Sequence, residues 1–240
     1  MNLENTTALI TGGNTGIGFG IAQALVAEGV NVAITSRSLN RAEEAAEKIR
    51  KMDKSKGKIL ALEMDVKDFN AQKEVVAHVL KEWGKLDYFV ANAGVGHFAP
   101  IQDLSPEQWQ DTIDTNLTGV FYGIKASVEA LKATKGFFLT ISSLAGTNFF
   151  AGGSAYNASK FGLTGFTQAV MLDLRQDGIR VSTIMPGSVA TGFNDHKVDE
   201  KDAWKIQKED IGELVVGLFK LDARTLPSKI EVRPSQTPKK

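Results

Sequence analysis

With 240 residues, 42% of them hydrophobic and 23% charged, the chain has the composition of an ordinary globular protein, large enough to bury a sizeable core. Its 28 Lys and Arg balance its 28 Asp and Glu, so no net field draws nucleic acid or an anionic membrane. Cysteine is absent, which excludes disulfides, thiolate metal sites and thiol catalysis.

Met1 to Gly12 has no basic region ahead of its short apolar run, so it reads as the start of the fold rather than a signal peptide. No stretch approaches the ~18 apolar residues of a membrane span, and the expected location is the cytoplasm. Short apolar runs then alternate with segments of helical period. The expected strands are Thr7 to Thr11, Val30 to Thr35, Lys58 to Met64, Leu86 to Ala91, Gly136 to Ile141 and Ile179 to Ile184. Between them lie helical patterns over Gly16 to Glu28, Asn40 to Met52, Asn70 to Trp83, Pro106 to Ala133 and Ser154 to Asp177. Several strands are apolar on both faces, as strands covered by helices on both sides must be. The alternation predicts an α/β fold, one doubly wound Rossmann layer with a mostly parallel sheet of about seven strands. No repeat or Pro/Gly linker divides the chain, so residues 1–233 are expected to form a single domain and 234–240 a flexible tail. The rhythm breaks after Pro186, where residues 186–208 read as a substrate loop region, before a short helix from Asp210 to Leu221 and a last strand near Lys229 to Val232.

The first strand runs into Thr11-Gly12-Gly13-Asn14-Thr15-Gly16-Ile17-Gly18, and a helix follows. Glycine permits a tight turn, lets the backbone approach a pyrophosphate, and aims the free N–H groups of a helix start at its charge. A surface turn also favours glycine, but the first βα turn of an alternating chain is where doubly wound folds bind dinucleotides. The second strand ends in Thr35-Ser36-Arg37-Ser38. No carboxylate stands there to accept the ribose hydroxyls of NAD, whereas Arg37 offers a planar charged fork, and Ser36 hydroxyl donors, to a 2′-phosphate. The cofactor expected is therefore NADP, with NADPH preferred over NADH.

The TGxxxGxG spacing resembles that of the short-chain dehydrogenase/reductase family. The likeness extends over most of the chain: Ala91-Asn92-Ala93-Gly94 is similar to the family's NNAG motif with Ala91 in the first place, Asn116 lies in the long fourth helix, Ser143 follows the fifth strand, Tyr156-Asn157-Ala158-Ser159-Lys160 matches YxxSK, and Pro186-Gly187 follows the sixth strand. The resemblance implies a reversible hydride transfer between a nicotinamide and a small carbonyl or alcohol substrate. It implies Tyr156 as general acid/base, Lys160 beside it and on the nicotinamide ribose, Ser143 on the substrate oxygen, and Asn116 holding a water that links Lys160 to solvent. It also implies cofactor contacts from Gly12, Asn14, Thr15, Gly16, Ile17, Gly18, Ser36, Arg37, Asp65, Val66, Asn92, Ala93, Gly94, Pro186, Gly187, Val189 and Thr191.

Tyr156 and Lys160 are four apart, so on a helix both project from one face. A free phenol titrates near ~10, and a nearby ammonium favours its ionised form; lowering that pKa by about 3 units takes roughly 4 kcal/mol, a task for Lys160 plus an oxidised nicotinamide. His78, His97 and His196 are scattered, none with a second ligand at useful spacing, so no metal is expected. Phe98, Phe149, Phe150, Phe193 and Trp204 fall near the expected crevice, and if two or three line it the substrate has an apolar body. On the helix of Tyr156, Ala158, Gly162, Gly165 and Ala169 form a stripe of small side chains on the opposite side. Glycine inside a helix costs about 1 kcal/mol against alanine, so packing is expected there, either within the subunit or between copies in a homo-oligomer, a tetramer or dimer. Two other readings share some of these features: a nucleotide-sugar epimerase or dehydratase, and a non-catalytic NADP-binding sensor or scaffold.

Overall fold

The first strand, β1 (Thr7–Ile10), is buried at all four positions, because helices cover both of its faces. Around it the computed structural model, which describes residues 2–52 and 56–237, builds seven strands in the order β3-β2-β1-β4-β5-β6-β7. The others are β2 (Asn31–Ser36), β3 (Ile59–Glu63), β4 (Tyr88–Ala91), β5 (Phe137–Ile141), β6 (Arg180–Pro186) and β7 (Lys229–Val232). Every pairing is parallel, so the sheet goes beyond the mostly parallel one expected. Strand ends differ from the expected ones by one or two residues, since burial continues past the hydrogen-bonded ladder. Of the expected tail, residues 238–240 lie outside the described residues.

Alternation along each strand divides the core in two. Tyr88 and Val90 of β4 join a cluster under α1 (Gly16–Ala27), α2 (Leu39–Arg50) and α7 (Lys208–Lys220), where Tyr88 stacks on Phe219 at 4.2 Å. Phe89 and Ala91 point to the other face, beneath α3 (Phe69–Trp83), α5 (Gly119–Thr134) and α6 (Ser154–Leu174), where Phe89 stacks on Phe138 at 5.2 Å. Helix starts are set by local chemistry. Asp68 accepts hydrogen bonds from the backbone of Asn70 and Ala71 to start α3, and Ser105 with Gln108 forms a reciprocal cap, with Pro106 at the first helical position, to start α4 (Pro106–Ile113).

The single helix expected over Pro106 to Ala133 is two helices, α4 and α5, joined by a wide π turn over Asp114–Thr118. The turn swings Asn116 inward, where its side chain accepts from Val95 N at 2.8 Å and donates to Val95 O at 2.9 Å and Ser159 Oγ at 3.0 Å. These three bonds reach residues far along the chain, and they outweigh the regular helical pattern that the sequence suggests. Gln72 secures the far side of the junction by donating to Val66 O and Gly119 O. No described helix is long and apolar enough to cross a membrane.

Candidate active site

The sheet order reverses direction between β1 and β4, and their carboxyl ends therefore splay apart. A cleft of about 760 Å³ opens there and runs across the ends of the strands. On one side the β1–α1 turn contributes Gly12, Asn14, Thr15, Gly16 and Ile17. Gly12 and Gly16 adopt φ of 62° and 55°, the left-handed region that a side chain disfavours. The start of α1 has no side-chain cap from Thr15 and no acidic residue in its first turn, so its N–H groups and positive dipole end stand open to an anion. Left-handed glycines beneath an uncapped helix start form a cradle suited to a pyrophosphate, and in that respect these residues fit a dinucleotide.

The turn is bolted to the one after β4. Asn92 donates through its side chain to Thr11 O at 2.9 Å and Gly12 O at 3.1 Å, while Thr11 Oγ1 accepts from the backbone of Asn92 and Ala93 at 3.0 Å. Gly18, expected to contact the cofactor, is not among the residues lining the cleft; a Cβ there would run into Asn92 Nδ2, so the glycine leaves room for this lock. Asn92, Ala93 and Gly94 line the opposite wall.

At the β2 end the cleft meets Ser36 and Arg37, with Asp65 and Val66 from the segment after β3. Arg41 lines the same end and was missed in the sequence; it stands four residues after Arg37 in the first turn of α2, a helical spacing that could have drawn attention to it. Lys67 carries a bond to Asp111 at 2.8 Å that raises its pKa, against burial and, less strongly, the charge of Arg37.

At the other end Ser143, Tyr156 and Lys160 come together with Pro186, Gly187, Val189 and Thr191. Ser143 leads a short turn after β5, where its hydroxyl accepts from Ala145 N at 3.1 Å. Ser142 faces away into the structure and bonds Thr164 Oγ1 at 3.0 Å. The Lys160 ammonium is buried and donates to Ile141 O at 3.0 Å; burial brings its pKa down to about 8. The ammonium stands 5.7 Å from the centre of the Tyr156 ring.

The expected depression of the Tyr156 pKa by that ammonium is not found in the protein alone. Burial pushes the phenol up, and a hydrogen bond from Ser143 draws it part of the way back. Lys160 is turned toward a carbonyl of β5 instead of the phenol oxygen, which is why it adds nothing. Asn116 lies close to this group without lining the cleft. It sits fully buried behind the wall, with Oδ1 3.2 Å from the position of a Cβ on Gly94 and its side chain committed to Val95 and Ser159.

Of the histidines, His97 pairs with Asp111 at 3.0 Å and does not line the cleft, whereas His196 does and pairs with Asp202 at 2.6 Å. Lys205, also missed in the sequence, lines the cleft and bonds the same Asp202 at 2.5 Å; together Lys205 and His196 hold that carboxyl down at about 2. Among the described residues no group of three or more His, Asp or Glu side chains is arranged to hold a metal.

The family pattern described as short chain dehydrogenase matches residues 6–202. The trans-4-hydroxycyclohexanecarboxylate dehydrogenase of Sinomonas cyclohexanicum is 38% identical over 187 residues, 77% of this chain and 72% of that protein. A 3-oxoacyl-(acyl-carrier-protein) reductase of Staphylococcus aureus is 35% identical over 197 residues, 81% of this chain and 78% of that one. The solved structure of an alcohol dehydrogenase from the archaeon Thermococcus sibiricus, complexed with 5-hydroxy-NADP, superposes with a TM-score of 0.90 at 29% identity, covering 98% of this chain and 99% of that one. The matched span contains the glycine turn, the buried Lys160 and the Tyr156 beside it, and on this ground the chain belongs to the short-chain dehydrogenase family, as a Rossmann-fold oxidoreductase acting on alcohol or carbonyl groups.

Proposed function

We propose that the protein is an NADP-dependent carbonyl reductase, reversible as an alcohol dehydrogenase, with Tyr156 as general acid/base. The observation that carries this reading is the continuity of the cleft, which joins Ser36 and Arg37 at one end to Ser143, Tyr156 and Lys160 at the other. The alcohol dehydrogenase of Thermococcus sibiricus, solved with 5-hydroxy-NADP, supports the choice of cofactor.

In this reading Gly12, Asn14, Thr15, Gly16 and Ile17 hold the pyrophosphate and Asn92, Ala93 and Gly94 line the nicotinamide half. Asp65 and Val66 flank the adenine, Pro186, Gly187, Val189 and Thr191 flank the nicotinamide, and Ser36 and Arg37, joined by Arg41, bind the 2′-phosphate. When bound, the nicotinamide supplies the hydride to the carbonyl carbon. Ser143 Oγ donates a hydrogen bond to the substrate oxygen and fixes it within reach of the Tyr156 phenol. Tyr156 gives its proton to that oxygen as the alcohol forms, and takes it back in the reverse direction. Because burial keeps the phenol protonated, the resting protein is loaded for reduction. Asn116 positions Val95 and Ser159 behind Lys160. The test is oxidation of NADPH, followed by absorbance, with aldehydes, ketones and ketoesters; steady turnover with at least one class is expected, and none with any of them would overturn the reading.

A homo-oligomer, and a cytoplasmic location, are part of the same reading. On α6, Ala158, Gly165 and Ala169 are exposed, nothing within the subunit lies within 4 Å of a Cβ on Gly165, and Phe161 and Leu172 flank the stripe at 44% and 54% exposure. Small residues that no internal neighbour covers suit the close approach of a second copy, which would also shield the two apolar side chains. Light scattering at micromolar concentration is expected to give a multiple of 25.9 kDa, and a monomer would remove this part of the proposal.

A further inference from the structure

Resting on that reading, we infer that the substrate carries an apolar body, held beside Tyr156 by Phe193, which lines the cleft, and Phe98, with Phe150 packed behind Phe98.

The three phenyl rings come from separate segments, the loop after β4, the loop before α6 and the loop after β6. Phe98 meets the Tyr156 ring edge-on at 5.3 Å, Phe193 meets it at 6.0 Å, and Phe98 lies 5.9 Å from Phe150 and 6.5 Å from Phe193. Such spacings are those of favourable aromatic pairs, yet the rings remain 42%, 48% and 40% exposed. Three large apolar side chains left open around one reactive hydroxyl form a patch that calls for a cover.

The backbone is shaped to seat them. A Cβ on Gly96 would stand 2.8 Å from Phe98 Cζ and 3.0 Å from two atoms of Phe193, and one on Gly153 would stand 2.5 Å from Phe150 Cε2. Each ring thus occupies space that a glycine leaves free, and an accidental surface aromatic needs no such seat.

The polar groups at this end limit what the rest of the substrate can be. Ser143 and Tyr156 serve one oxygen, and of the other polar side chains at this end, Ser188, Thr191, Asn194, His196 and Lys205, the last two are bonded to Asp202. Hydroxyls of a sugar or polyol set against the faces of Phe98 and Phe193 would lose their hydrogen bonds there, a heavy penalty for a desolvated polar group. A phosphorylated or carrier-borne substrate needs a cation, but Lys205 is already bonded to Asp202 at 2.5 Å and Lys160 is buried against Ile141 O.

The deciding experiment compares 4-methylcyclohexanone, dihydroxyacetone and an acetoacetyl thioester of N-acetylcysteamine as substrates with NADPH. The ring ketone is expected to lead the other two by about 100-fold or more in kcat/KM. Phe98→Ala and Phe193→Ala are each expected to raise its KM about 10-fold while kcat moves less than about 3-fold, the sign of lost uniform binding, with a smaller rise for acetone. Equal or better kcat/KM for dihydroxyacetone or the thioester would overturn the inference and leave the proposed function standing. If no carbonyl is turned over, the proposed function falls, and calorimetric titration of 4-methylcyclohexanol into the protein with NADP decides this inference alone. Binding with a negative heat-capacity change that weakens in Phe98→Leu and Phe193→Ala supports it, and no binding overturns it.

Discussion

Around Gly12 the cleft is walled by backbone, held by four hydrogen bonds between the turns after β1 and β4, whereas at the other end it is bordered by the Phe193 side chain, with Phe98 packed on that ring and Phe150 on Phe98, each ring 40% exposed or more. The first end has two glycines in the left-handed region and an open helix start; the second has Asn194 at φ 57° in the loop beside Phe193. A backbone cradle suits a ligand part that is always the same, and it admits few residue types. A side-chain collar can be altered one ring at a time without disturbing the sheet, so it is where one oxidoreductase can differ from its relatives.

The comparison breaks if chemistry and nucleotide binding cannot be separated, and the largest effect tests that. Tyr156→Phe keeps the ring that Phe98 and Phe193 pack against but removes the transferable proton. Turnover is expected to fall ~10²–10⁴-fold while cofactor affinity by titration stays within about 3-fold. Wild-type turnover in this variant would remove Tyr156 from the mechanism.

A smaller effect sharpens the other end. Arg37→Gln should lower the NADPH-over-NADH ratio of kcat/KM by about 10- to 100-fold, the worth of a hydrogen bond to a charged group, and Ser36→Asp combined with it should reverse the preference. Arg41→Gln should act in the same direction but more weakly. An unmodified enzyme that works equally well with NADH would show that neither arginine reads the phosphate.

The smallest effect concerns stability. Lys160 titrates at about 8 in the folded protein against 10.5 ordinarily. Below about pH 8 the lysine is charged in both folded and unfolded protein, and burying that charge opposes folding by about 3 kcal/mol. Between about pH 8 and 10.5 the folded protein loses the proton first, so stability rises with pH and the penalty fades. Lys160→Met should therefore be inactive yet more stable than wild type at pH 7, by about 2 kcal/mol once the lost bond to Ile141 O is deducted. That gain should shrink in denaturant melts at pH 10. A variant less stable at pH 7 would show that the Ile141 bond outweighs the desolvation of the charge.

Much of the cleft was legible because its constraints act on residue types at fixed spacing. Glycine at positions 12 and 16, the pair Tyr156 and Lys160 one helical turn apart, and a basic residue after β2 each leave a mark in a few consecutive residues. The π turn at Asp114–Thr118 left none, since what drives it is the reach of Asn116 to Val95 and Ser159, 21 and 43 residues away. The same holds for Arg41 and Lys205, which belong to no motif and which only the fold brings to the cleft.

By itself the sequence determined the succession of the strands, the doubly wound layer and the glycine turn and Tyr156/Lys160 pair of the cleft, because periodicity and short-range motifs encode those locally. Only the tertiary structure decided that Gly18 makes room for Asn92, that Lys160 turns to Ile141 O and leaves the phenol raised by burial, and that Phe98 and Phe193 meet Tyr156 with Phe150 behind Phe98. Desolvation and the meeting of distant loops depend on what surrounds a residue in space, and no pattern of neighbours along the chain records that.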